Sequence, residues 1–115
     1  VVSYPRRGEL WWADLEPVLG SEQGGKRPVV VVQNDVGNQR SATTIVVPVT
    51  SSVAKAWYRV NVQLPDGTLS KPSVAKCSQV RTIDKSRLAG APVARLDSET
   101  LTRIDEGLLV SLGLY

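Results

Sequence analysis

Apolar and polar positions divide this chain into several short strands and one helix. Residues 8–15, GELWWADL, are aromatic-rich and follow a breaking glycine, which predicts a first strand. Its two tryptophans, Trp11 and Trp12, then fall on opposite faces. One is expected in the core, and the other is left to stack on a base or to pack against a second chain. Residues 16–26, EPVLGSEQGGK, carry the Pro, Gly and Ser of a loop. Residues 27–34, RPVVVVQN, contain an unbroken β-branched run that fits a strand buried on both faces. Pro28 disfavours helical angles at Arg27 and predicts an extended backbone there.

Residues 35–42 read as a connection and 43–52, TTIVVPVTSS, as a third strand. Pro48 cannot donate to a ladder, so a bulge or an edge is expected near it. Residues 58–64 alternate, with Val60, Val62 and Leu64 on one face, and PDG at 65–67 signals a turn. Residues 73–80, SVAKCSQV, read as another strand with mixed faces, and Asp84 can begin a short helical turn. The clearest helix is the tail, capped by Asp97 or Ser98, with Leu101, Ile104, Leu108 and Leu112 on one face and Leu109 beside them. Gly107 costs that helix about 1 kcal/mol relative to Ala. Many short strands followed by one amphipathic helix predict a mainly β (α+β) fold: a small, twisted antiparallel barrel with the C-terminal helix packed on it. At 115 residues there is room for one core, so a single domain over 1–115 is expected.

Composition narrows the chemistry. The chain has no histidine and one cysteine, Cys77, which makes a metal centre unexpected and removes the commonest acid–base catalyst. A lone cysteine reads best as a small buried hydrophobe in a reducing cytoplasm. No run approaches the roughly 20 apolar residues of a membrane span, and the first ten residues lack the apolar stretch of a secretory signal. The net charge of +3 is unevenly spread: residues 1–96 carry +6 and residues 97–115 carry −3. A basic body suits a phosphate-bearing or acidic partner.

The 6–35 stretch, RRGELWWADLEPVLGSEQGGKRPVVVVQND, is the most specific signal in the chain. It resembles the opening of the MazF/PemK family of toxin endoribonucleases, with Gly8, Glu9, Asp14, Pro17, Gly20, Glu22, Gln23, Gly25, Arg27 and Pro28 at matching spacing. VPVTSS at 47–52 and QVRTIDKSRL at 79–88 resemble the family's next two blocks in order. The resemblance implies an SH3-like barrel, a homodimer, metal-independent cleavage of single-stranded RNA at short sequences without a cofactor, and inhibition by a cognate MazE-type antitoxin. It also implies that Arg27 and Thr50 are the catalytic pair. Two departures are Lys26, an added cation beside Arg27, and KCSQV, more polar than the family's usual strand before the last block. The 54–73 segment varies in the family, so base preference is not inferred.

The chemistry of the residues supports parts of this assignment. RNA can be cut by its own 2′-hydroxyl, and the protein must then move protons and stabilise phosphoryl charge. Arg27 suits the electrostatic task, because its planar fork matches phosphate and stays charged. Thr50 suits hydroxyl positioning. Neither is a good base; Glu22 has a suitable group. Ser21, Glu22, Gln23 and Lys26 on the loop, Ser51 and Ser52 at the end of the third strand, and Gln79 are the expected RNA contacts, the loop flexing over unstacked bases. Arg81, Lys85 and Arg87 read as a structural or phosphate-steering cluster. Outside the resemblance, Arg27 would read as a surface ion-pair partner and Thr50 as an ordinary strand former. Two rival functions are a CcdB-like toxin that binds a protein such as gyrase, and an SH3-like module that binds without cutting.

Overall fold

The computed structural model describes residues 3–52 and 58–114, so Trp57 and the start of the 54–73 segment lie outside the described residues. The strands are β1 (Glu9–Asp14), β2 (Lys26–Val31), β3 (Thr43–Thr50), β4 (Asn61–Gln63), β5 (Val74–Lys76), β6 (Arg81–Asp84) and β7 (Leu88–Arg95). The helices are α1 (Asp35–Arg40) and α2 (Ser98–Ser111). All recorded pairings are antiparallel, in the order β4-β5-β3-β2-β1-β7, with β6 also paired to β3. The mainly β class and the C-terminal helix agree with expectation. The sheet is open, however: β4 and β7 end the order, and no ladder joins them among the described residues.

The valine run is buried on both faces, as its composition predicts. Val29 and Val31 pack with Trp11, Leu15 and Val46 on one side. Val30 and Val32 pack with Leu10, Val47, Val49 and Ile104 on the other. Pro48 stays inside β3, paired to Val29 of β2. The carbonyl of Ile45 accepts from Val32 of the segment after β2, so alternation turns the backbone polar groups of Pro48 to the opposite edge. On that edge the β6 pairing ends at Val46 and the β5 pairing begins at Val49. The missing N–H therefore falls in a gap between two strands.

Two segments differ from the sequence reading and a third carries no signal in it, each for a local reason. Residues 35–40 form α1 rather than a plain connection: Asn34 Oδ1 caps it by accepting from Gly37 N at 2.8 Å. Its buried residue is polar Asn38, which bonds Gln33 and Thr44, so no apolar stripe announces the helix. The strand predicted over 73–80 stops at Lys76 and gives way to a 3₁₀ turn, Cys77–Gln79. Residues 88–95 form β7, an edge strand of Ala, Gly and Pro that is mostly exposed and lacks readable alternation. Asp84 does begin a short helical turn, accepting from Ser86 N at 2.8 Å.

Helix α2 is capped by Asp97, whose side chain accepts from Thr100 N at 2.7 Å. Its buried residues are Thr100, Ile104 and Gly107, with Leu101 and Leu108 half-buried. Leu109 and Leu112 stay exposed, because the helix seats on the Cys77 turn and β4 through its small residues, and Leu112 already lies at the C-cap. Gly107 is thus more than a helix weakness. A Cβ there would lie 2.8 Å from Cys77 Sγ and 3.4 Å from the Arg59 carbonyl. Burial, and then the charge of Asp105, pushes the Cys77 thiol up to about 12. The unfolded thiol ionises near 9.0, so this contribution is complete below that pH and is lost as pH rises towards the folded value.

Gly107→Ala should therefore destabilise the fold despite its better helix propensity. Overpacking of this kind costs about 1–3 kcal/mol, and a fall of several degrees in the thermal unfolding midpoint is the expected reading; an unchanged or raised midpoint contradicts the packing.

Candidate functional site

β2 and β3 carry the two residues singled out as a pair. Pairing of Val29 with Pro48, Val30 with Val47 and Val31 with Val46 defines one antiparallel register. Continued two residues past its last recorded pair, that register sets Arg27 opposite Thr50. Both residues line one cleft of about 440 Å³ at the mouth of these strands.

The cleft gathers Lys26, Arg27, Thr50 and Ser51 from the expected residues. It adds Trp12, Pro28, Val49, Leu69, Ser70, Lys71, Ser73 and Val93. Three cations line it, no carboxylate does, and no ion pair engages those cations among the described residues. Arg27 Nε donates to the Gly24 carbonyl at 2.6 Å, which fixes the plane of the guanidinium. The N–H groups of its two terminal nitrogens remain for a ligand. Thr50 Oγ1 accepts from Ser52 N at 3.1 Å, leaving its own hydrogen to be donated.

Ser21, Glu22, Gln23, Ser52 and Gln79 are not part of the lining. Glu22 Oε1 is exposed and accepts from Leu19 N at 3.2 Å. Gln79 reaches the same loop, its Oε1 accepting from Gln23 N at 3.4 Å. The lining residues 69–73 escaped notice because nothing in their sequence marks them; the PDG turn folds them back beside β3. Val93 arrives through a bulge. Leu10 pairs with Ala94 and Trp12 with Ala89, so residues 90–93 of β7 stand opposite Trp11 alone, with Gly90 at φ +68°.

The loop before Arg27 is held in place by its own glycines and by Glu16. Glu16 Oε2 accepts from Gly25 N at 2.5 Å, and Gly25 has φ +75°. A Cβ on Gly24 would collide with the Glu16 carboxylate and lie 2.5 Å from Val18 Cγ2. Arg81 Nη1 donates to the Leu15 carbonyl at 3.1 Å, and Arg87 Nη1 to the carbonyls of Asp14 and Glu16. Lys85 Nζ donates to the Asn38 carbonyl. This basic cluster braces the root of the loop and the end of α1. Among the described residues no three His, Cys, Asp or Glu side chains converge to hold a metal.

Residues 6–112 match the family described as PemK-like, MazF-like toxins of type II toxin–antitoxin systems. The chain belongs to this family. It is 44% identical over 111 residues to the endoribonuclease EndoA of Bacillus subtilis, covering 95% of each chain. The solved structure of MazF from Deinococcus radiodurans superposes with a TM-score of 0.86 at 28% identity, over 97% of this chain and 99% of that one. An endoribonuclease in complex with its cognate antitoxin from a mycobacterial species shares the fold, with a TM-score of 0.79 at 23% identity, over 96% of this chain and 97% of that one. The three sequence blocks that resemble the MazF/PemK pattern thus occupy β1, the glycine loop and β2, then the end of β3, and then β6 with the short helical turn after it.

Removing the Glu16 carboxylate should loosen this loop without unfolding the sheet. In Glu16→Ala, amide hydrogen exchange at Gly25 should accelerate at least tenfold, and Glu16→Gln, which keeps an acceptor, should restore much of the protection. Equal protection in all three proteins would exclude Glu16 as the clamp.

Proposed function

We infer that this protein is a sequence-specific, metal-independent endoribonuclease that serves as the toxin of a type II toxin–antitoxin pair. The observation that carries the reading is that Arg27 and Thr50, far apart in sequence, line one cleft with Lys26 and Lys71 and no carboxylate. Such a lining attracts a polyanion and sets no like charge against it. Single-stranded RNA is the substrate, and cleaved messenger RNA is the route to growth inhibition.

In the proposed reaction the ribose 2′-hydroxyl attacks the adjacent phosphorus, the P–O5′ bond breaks, and the 5′-oxygen leaves as an alcohol by taking a proton from an Arg27 N–H, which water restores. Arg27, its Nε held by Gly24, directs its remaining N–H groups at the non-bridging oxygens, where charge builds up. Thr50 donates its hydrogen to a phosphate oxygen or orients the 2′-hydroxyl. The cleft lining offers no carboxylate, so proton removal falls to water or to Glu22 carried in by its loop. Ser51 lies beside Thr50 in the same lining. Gln23 and Gln79 contact RNA beyond the cleft, where the loop and the Cys77 turn meet, and Ser21 on the loop and Ser52 after β3 add further contacts.

A homodimer presents two such sites on one molecule. The MazE-type antitoxin neutralises them by laying an acidic segment, disordered when free, over the basic cleft. No helix among the described residues is long and apolar enough to cross a membrane; a cytoplasmic setting keeps Cys77 reduced. A gyrase-binding toxin of the CcdB type would have no use for a guanidinium and an alcohol converging on one anionic ligand.

The test is to incubate pure protein with a long RNA in EDTA and map the ends. Defined cuts are expected, blocked when the nucleotide 5′ of the cut carries 2′-deoxyribose. Arg27→Ala should lower kcat by roughly 10²–10³ or more with the thermal midpoint unchanged, and Thr50→Ala should act mainly on kcat. Uncut RNA, or an Arg27→Ala variant as active as the parent, refutes the reading. With three cleft cations neutralising phosphates, log K for an uncleavable oligonucleotide should fall with log salt at a slope of about −2 per cleft.

A further inference from the structure

We propose that Trp12 is the stacking platform for a nucleobase next to the scissile linkage, and so sets which nucleotide step is presented to Arg27. The proposal rests on the endoribonuclease reading above and goes further, assigning a position-setting residue that the catalytic pair does not supply.

The two neighbouring tryptophans have opposite fates. Trp11 is buried, and its indole N–H donates to Glu9 Oε1 at 3.1 Å. Trp12 is 46% exposed, and its indole N–H meets no partner among the described residues. A large aromatic ring left open on a central strand is unusual unless something covers it. Its cross-strand neighbours explain the opening: Pro28 on β2 and Ala89 on β7 are both small. The β7 bulge then carries residues 90–93 away from the ladder, and Val93 rejoins the cleft wall.

Trp12 also stands where a base must be. It pairs with Pro28, the residue directly after Arg27, and it lines the same cleft as Arg27 and Thr50. Across that cleft lie Leu69 and Lys71. An apolar face beside unpaired cations is the combination that binds unstacked nucleotides: phosphates track the charges and bases lie on the ring. The absence of any carboxylate in the lining favours RNA over a protein with a basic docking segment. Stacking is tolerant of base identity, so Trp12 acts on register, and identity is read elsewhere.

The experiment is abasic scanning of a short RNA substrate against the parent protein and the variants Trp12→Ala, Trp12→Phe and Trp12→Leu. With the parent, one abasic position adjoining the cut should lower kcat/KM by about 5- to 150-fold. Trp12→Ala should lower cleavage of intact RNA by a similar factor, and the penalty at that one position should vanish while penalties elsewhere persist. Trp12→Phe should restore most of the rate and Trp12→Leu should not. Indole fluorescence should be quenched by a 2′-deoxy-blocked oligonucleotide in the parent and markedly less in Trp12→Phe, a readout that holds even if Trp12→Ala folds poorly. The proposal fails if Trp12→Ala keeps every abasic penalty of the parent, including the case where its activity falls only because the dimer dissociates. It fails equally if Trp12→Leu matches Trp12→Phe. A parent protein that cuts while these patterns are absent leaves the endoribonuclease reading standing and removes Trp12 alone; a parent that cuts no RNA refutes both.

Discussion

The pairing of β2 with β3 is the constraint on which the rest of the molecule depends. Val29, Val30 and Val31 are fully buried, and their side chains alternate between two apolar layers. Full burial of each is worth about 1.5–3 kcal/mol relative to exposure. Slipping the register by one residue would exchange the two faces along the whole strand. A slip would draw Pro28 and Arg27, or Gln33, toward the apolar layers in place of valine, so the ends of the run fix the register, and the residues at the strand mouth inherit that precision. The guanidinium of Arg27 and the alcohol of Thr50 are brought together by the packing of residues that touch neither.

The mouth of these strands is finished by groups of a different kind. Arg27 is aimed by a carbonyl in the loop, and the loop is aimed by the Glu16 carboxylate and by the arginine donors at its root. The holding contacts therefore change outward in steps, from buried valine packing to hydrogen bonds at the loop root. This arrangement fits the proposed role of holding one phosphate at Arg27 while a single strand enters past the loop. The cation added at Lys26 strengthens the field at the point where the chain departs from the family pattern. Lys71 contributes from the segment between β4 and β5.

Elements whose environment is apolar on a regular period were legible in the sequence. The valine strand, the first strand with its divided tryptophans, and α2 all carry their own signal. The elements that were not legible are governed by contacts that periodicity does not encode. The buried residue of α1 is Asn38, satisfied by a hydrogen-bond network rather than by apolar neighbours. β7 is an exposed edge of small residues, and the strand after Ser73 turns at Cys77 because Gly107 leaves room for it. The site followed the same division. Arg27 and Thr50, singled out by the resemblance to the family motif, do line one cleft, whereas Leu69, Lys71 and Val93 reach it only through a turn and a bulge. Leu109 and Leu112 show the limit of helical periodicity, which places them on the apolar stripe although the buried line of the helix runs through Thr100, Ile104 and Gly107.

The most direct measurement of the central claim is a crystal structure of the protein with an RNA whose cleavage is blocked by 2′-deoxyribose at the cut. The account predicts one phosphate within hydrogen-bond distance of both an Arg27 terminal nitrogen and Thr50 Oγ1, with the strands in the register described. A phosphate seated on only one of these residues, or RNA bound to another face with this cleft empty, would contradict it.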